Sequence, residues 1–135
     1  MNILLERRIL LSFFIVMLFL LLINFVFKVE EHIIERFSDG SPRLIHISRI
    51  ILGKPYLLRT IEFWEKDKIR YDKEFKYGRP HGKQIFISKT GEKTVQWIKK
   101  GKRDGEYMKW DTDGNLILKE IWSYGKRKKI ILKSR

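Results

Sequence analysis

The chain contains no cysteine, which excludes a disulfide framework and any thiolate metal site. It leaves the redox compartment open, since exported domains also do without cysteine. Acidic residues are scarce, with 16 Asp+Glu against 29 Lys+Arg and a net charge of +13. Catalytic signatures are missing as well. There is no Gly-x-Ser-x-Gly elbow and no phosphate-binding Gly-rich loop. The three histidines, His32, His46 and His81, have no second nearby histidine or cysteine that would make a ligand pair. Asp111-Thr112-Asp113-Gly114 has the look of a calcium loop, but such a loop needs its glycine at position 6 and a carboxylate at position 12. Here the glycine is fourth and position 12 is Trp122, so a hairpin turn is expected instead. No catalytic residue, cofactor or metal is expected, and an enzymatic role has no residue set behind it.

What the chain does have is one long apolar run. Ile9 through Phe27 is broken only by Ser12 and Asn24. Nineteen helical residues cover about 28 Å, close to the hydrocarbon thickness of a bilayer. A helix apolar on every side has no place on the surface of so small a domain. The run is longer than a signal-peptide core and is not followed by small residues, so an uncleaved single-pass anchor is expected. Arg7 and Arg8 precede it, which favours a cytoplasmic N-terminus and an exported remainder. The expected order is a short tail at 1–8, a transmembrane helix at 9–27, a connector with a first strand at 28–52, and a repeat region at 53–132. Val29, Ile33, Ile34 and Phe37 are at helical spacing, so the helix is expected to run on into the connector. Leu44 to Leu52 is rich in β-branched residues and reads as that first strand.

The repeat region is punctuated by glycine. Gly78 and Gly82 are followed by Gly91; Gly101 and Gly105 are followed by Gly114; all three offsets are 23, and Gly125 follows Gly101 by 24. A fixed period of this size marks units that bury apolar surface only against their neighbours. The units fall at about 53–77, 78–100 and 101–124, with a partial unit at 125–132. In the clearest unit, Glu106 to Trp110 is a strand, Asp111 to Asn115 a tight turn and Leu116 to Tyr124 the return strand. The chain is expected to turn between hairpins over Gly78–Gly82 and Gly101–Gly105. The fold class is therefore mainly β: a single-layer antiparallel hairpin meander behind one helix.

The runs Lys100-Gly101-Lys102-Arg103-Asp104-Gly105-Glu106-Tyr107 and Trp110-Asp111-Thr112-Asp113-Gly114-Asn115-Leu116 carry a family resemblance. The unit resembles the MORN-type repeat, and more closely its bacterial variant in the YwqK-family antitoxins. It covers about residues 53–132, although the copy from Gly53 lacks the middle glycines. The resemblance implies a meander of hairpins acting as a binding scaffold, with a toxin as one class of partner.

Phe75, Ile98 and Trp122 occupy one equivalent position in the copies, Ile87 and Trp110 another, and Ile85 and Met108 a third. Residues two apart on a strand share a face, so Ile85, Ile87, Met108 and Trp110 form one apolar stripe. Two roles are open to it: a core column, or an exposed binding surface. Charge is concentrated in the repeats, where residues 53–135 hold 23 Lys+Arg and 11 Asp+Glu against six and five in residues 1–52. Lys126, Arg127, Lys128 and Lys129 form the densest basic run and are candidate contacts for an anionic lipid or polymer surface. Nucleic acid is a poor fit for an exported domain. The expected function is a membrane-anchored module that binds another protein, such as a toxin. The alternative is an envelope-associated structural module whose basic face holds anionic lipid or wall polymer.

Overall fold

The computed structural model describes residues 3–26 and 28–134, with side chains described outside 3–5 and 24–26. One helix, α1 (Ile3–Val26), precedes nine strands: β1 (Val29–Arg36), β2 (Pro42–Ile51), β3 (Lys54–Glu65), β4 (Lys68–Lys76), β5 (Arg79–Ile87), β6 (Lys93–Lys99), β7 (Lys102–Trp110), β8 (Leu116–Ser123) and β9 (Lys126–Lys133). The strands form one open antiparallel sheet in the order of the sequence, a meander in which each strand pairs with its chain neighbours. Among the described residues no second layer covers either face, so the sheet is one layer thick as expected.

Five expectations need correction. The segment expected to prolong the helix is strand β1, paired along its length with β2. Val29, Ile33 and Ile34 match a helical period, but the sheet edge supplied by β2 satisfies their backbone, and tertiary pairing overrides so short a pattern. The sheet thus begins 24 residues before the repeats, and β2 is its second strand rather than a first. The tail expected at 1–8 is helical from Ile3.

The expected helix therefore forms, but the crossing expected of it does not follow. Among the described residues, no helix is long and apolar enough to cross a membrane. The described side chains open on Glu6, Arg7 and Arg8, and the apolar stretch from Ile9 to Ile23 spans about 22 Å at 1.5 Å per residue. That falls short of a hydrocarbon core of about 30 Å. Phe27 and the side chains of 24–26, which were to complete the span, lie outside the described residues. Within the described stretch the large apolar side chains from Ile9 to Ile23 are all exposed, so α1 lays no apolar face on the sheet.

The turns explain the glycine period. Along one edge of the sheet, strands are joined by two-residue turns at Leu52-Gly53, Tyr77-Gly78, Lys100-Gly101 and Tyr124-Gly125. Both residues of each have positive φ, for example 51° and 70° at Tyr77 and Gly78. That is the type I′ geometry, whose twist matches the flanking strands. Three turns of the other edge share one hydrogen-bond pattern. The N–H groups of Phe37, Ser88 and Asp111 donate to the carbonyls of Ser41, Glu92 and Asn115 at 2.9, 2.9 and 3.0 Å. Gly40, Gly91 and Gly114 donate back to the first residue of each turn.

Gly82 and Gly105 are the fifth correction. They are not in turns but inside β5 and β7. Between Lys73↔Gln84 and Phe75↔Pro80 one strand advances two residues and the other four, and Gln96↔Tyr107 with Ile98↔Arg103 repeats this. Each glycine relieves the resulting bulge with a positive φ, 82° and 119°.

Asp111 fixes its turn. Its Oδ1 accepts from the N–H of Asn115 at 2.8 Å and of Asp113 at 3.0 Å, and Oδ2 accepts from Asn115 Nδ2 at 3.1 Å. The Asn115 backbone bond, followed by its side-chain bond, holds the Asp111 carboxyl below its ordinary value. A depressed folded pKa adds stability above the unfolded value, about 3.9, which is lost as pH falls through the folded one. The expected result is a melting temperature that drops on acidification below about pH 4, with a shallower drop in Asp111→Asn. Thermal unfolding followed by circular dichroism across pH 2–6 checks this; identical acid limbs would show that the turn does not bind its carboxylate.

Candidate functional site

Register lays the expected stripe across the sheet. Ile45, Ile61, Asp72, Ile85, Val95, Met108 and Lys119 stand opposite one another in turn from β2 to β8. The next row on this face runs Ile87, Lys93, Trp110 and Leu116. Ile85 and Met108 are therefore joined through Val95, and Ile87 and Trp110 through Lys93, whose ammonium lies 5.3 Å from the Trp110 ring centre. The four expected residues share one patch. Val95 at its centre is only 3% exposed, while Ile85, Ile87, Met108 and Trp110 are half-buried. Neighbouring side chains, not another layer, shield Val95. The patch is a core column at its centre and open surface at its rim.

Asp72 interrupts the row with a charge. It is 7% exposed and accepts from Arg59 Nε at 2.6 Å and from Nη2. The fork geometry of a guanidinium suits this two-point contact. Arg59 is held more firmly protonated by its hydrogen bond to Asp72.

The opposite face carries polar groups that satisfy one another. Its row is His46, Thr60, Lys73, Gln84, Gln96, Tyr107 and Glu120. Arg103 lies between the rings of Tyr107 and Trp122, 4.2 and 4.4 Å from their centres, and its Nε donates to Gln96 Oε1 at 3.0 Å. Glu120, 5% exposed, accepts from Trp122 Nε1 at 2.8 Å and from Arg127 Nη1 at 3.0 Å. Trp122, equivalent to Phe75 and Ile98, thus belongs to this face and not to the stripe.

The basic run divides. Arg127 is committed to Glu120, while Lys126, Lys128 and Lys129 are exposed on β9, the outermost strand. Lysine on an edge strand also discourages pairing with another chain. His81 is near the Tyr77-Gly78 turn, where its Nδ1 accepts from the N–H of Lys100 at 3.5 Å. His46 and His32 face each other on β2 and β1.

Sequence reasoning missed Arg59, Asp72, Arg103 and Glu120. For Asp72 and Glu120 the signal was only positional: a carboxylate where the neighbouring hairpin has Val95 or Gln96. Val95 was missed because the equivalent residue in the next hairpin is Lys119. The chain matches no protein-family model and no curated protein.

Proposed function

We propose that this chain is a membrane-anchored binding module whose apolar sheet face receives a protein partner. The observation that carries this is the Ile85–Val95–Met108 row, extended by Ile87 and Trp110 on a face that no other described element covers. A half-exposed apolar patch with two rings, Trp97 and Trp110, at its rim and charges around it has the make-up of an interface centre. The hairpin repeat resembles that of the YwqK-family antitoxins, so a small protein toxin is the partner class we favour. The exposed apolar surface of α1 gives the anchor its basis; a full crossing, with Arg7 and Arg8 on the cytoplasmic side and the sheet exported, would need the stretch after Ile23 to complete it.

Two measurements test this. The full chain should stay in the membrane pellet at alkaline pH, and a chain starting at residue 28 should not; release of the full chain would remove the anchor. A partner captured by the wild-type chain should survive about 0.5 M salt, where the Debye length falls to a few ångströms. It should be lost with Met108→Asp in a variant that still melts cooperatively. Capture unchanged by Met108→Asp would move the interface off this face.

The exposed Lys126, Lys128 and Lys129 favour a second reading, an envelope module held by anionic polymer or lipid. It predicts retention that falls steeply with salt and disappears when the three lysines become glutamate.

A further inference from the structure

The edge of the sheet that carries the two-residue turns has a composition unlike the rest of the molecule. Type I′ turns favour Asn, Asp or Gly at their first position, because φ is positive there. This chain places Leu52, Tyr77, Lys100 and Tyr124 there, with φ of 48–51°. Leu52, Tyr77 and Tyr124 are 81%, 85% and 69% exposed. Large apolar and aromatic side chains are thus held at the tips of turns, in a backbone conformation that disfavours them, where they touch little of their own chain.

Charge is sorted in the same direction. The four hairpin tips, residues 50–55, 75–80, 98–103 and 122–127, contain nine Lys or Arg and no Asp or Glu. The turns at the opposite edge, 37–41, 66–67, 88–92 and 111–115, contain five Asp or Glu and two Lys. The sheet is polarised along its strands, basic with apolar tips at one end and mildly acidic at the other.

The basic end is also where the chain arrives from α1. The carbonyl of Lys28 accepts from the N–H of Ile50 at 2.7 Å, two residues from the Leu52 tip. Because the sheet is a meander, all four tips stand on this one edge, about 10 Å apart, two strand spacings each. Neighbouring tips are tied together. Gly101 N–H donates to the Pro80 carbonyl at 3.1 Å, and Gly125 N–H to the Arg103 carbonyl at 2.8 Å. The side chain of Lys102 packs against Gly125. The result is a row of tips about 30 Å long.

We propose that this turn edge rests on the surface of an anionic bilayer, with Leu52, Tyr77 and Tyr124 at headgroup depth and the tip lysines and Arg79 on lipid phosphates. Tyrosine is favoured at that depth because its ring is apolar and its hydroxyl stays wet. Basic side chains beside it are attracted to anionic lipid. The contact stands the strands upright on the membrane and leaves the Ile85–Met108 face free to receive a partner. It builds on the reading of α1 as a lipid anchor, but it assigns a different surface and different residues.

The absence of native cysteine gives a clean test. Single variants Phe13→Cys, Ser123→Cys and Thr112→Cys of the full chain are labelled with an environment-sensitive fluorophore and reconstituted in phosphatidylglycerol-containing vesicles. The label beside Tyr124 should shift to the blue and be quenched by brominated lipid, while the label at 112 stays aqueous. Adding Tyr77→Ser and Tyr124→Ser to the Ser123→Cys chain should abolish the shift, as should vesicles of neutral lipid alone. A label at 123 as aqueous as that at 112 overturns the proposal. If the label at 13 is immersed and that at 123 aqueous, the anchor survives and the edge contact is wrong. The reverse result supports the edge contact and removes the anchor.

Discussion

Valine in place of Gly105 is expected to lower the melting temperature of the sheet by about 10 °C or more, whereas valine in place of Lys102 leaves it nearly unchanged. Two costs coincide at Gly105. Its φ is +119°, where a β-branched residue is strained by about 1–3 kcal/mol. A Cβ there also meets the Cβ of Trp97 at 3.1 Å and its Cγ at 3.6 Å. Backing away means moving a side chain in a sheet with no second layer to repack, adding about 1–3 kcal/mol of overpacking. The sum, roughly 2–5 kcal/mol, is a large part of a small domain's stability. Lys102 is exposed at the start of β7 and has ordinary backbone geometry. A control separates the two costs. Gly53 has φ of +76° but open space around it, so Gly53→Ala pays strain alone, about 1 kcal/mol. Equal melting temperatures for Gly105→Val and Lys102→Val would mean that the bulge relaxes freely and that β6 and β7 slide past one another.

The glycine period made the meander legible because it records a backbone need that few other residues meet. It could not tell which glycines turn the chain and which relieve a bulge. Gly101 and Gly105 look alike as letters, yet one closes a hairpin and the other is mid-strand opposite Trp122. The strand at 29–36 was illegible for another reason. It lies outside the period, and Val-Glu-Glu-His-Ile-Ile-Glu-Arg has neither clean alternation nor a turn before it. Only pairing with β2 decides its state. The stripe of Ile85, Ile87, Met108 and Trp110 was legible because strand alternation alone fixes it. The strands that separate its members, and the buried carboxylates of Asp72 and Glu120, depend on register, which a one-residue slip would reverse.

Asp72 supplies the second large effect. Its carboxylate lies in a row of isoleucines, and among the described residues the Arg59 guanidinium is its charge-assisted partner. Arg59→Leu should cost about 2–4 kcal/mol, because it leaves a nearly buried carboxylate without its counter-ion. Asp72→Leu should cost far less, about 0–1 kcal/mol: the guanidinium left behind is about half exposed and stays hydrated, and leucine suits the row between Ile61 and Ile85. Arg59→Leu with Asp72→Leu should then lie near the Asp72→Leu single, well above Arg59→Leu. A double-mutant cycle in urea, read as midpoints at constant slope, measures all three. If Asp72→Leu proves as damaging as Arg59→Leu, the pair fixes the β3–β4 register rather than merely neutralising a buried charge. The apolar row would then need its one carboxylate to keep every later strand on its proper face.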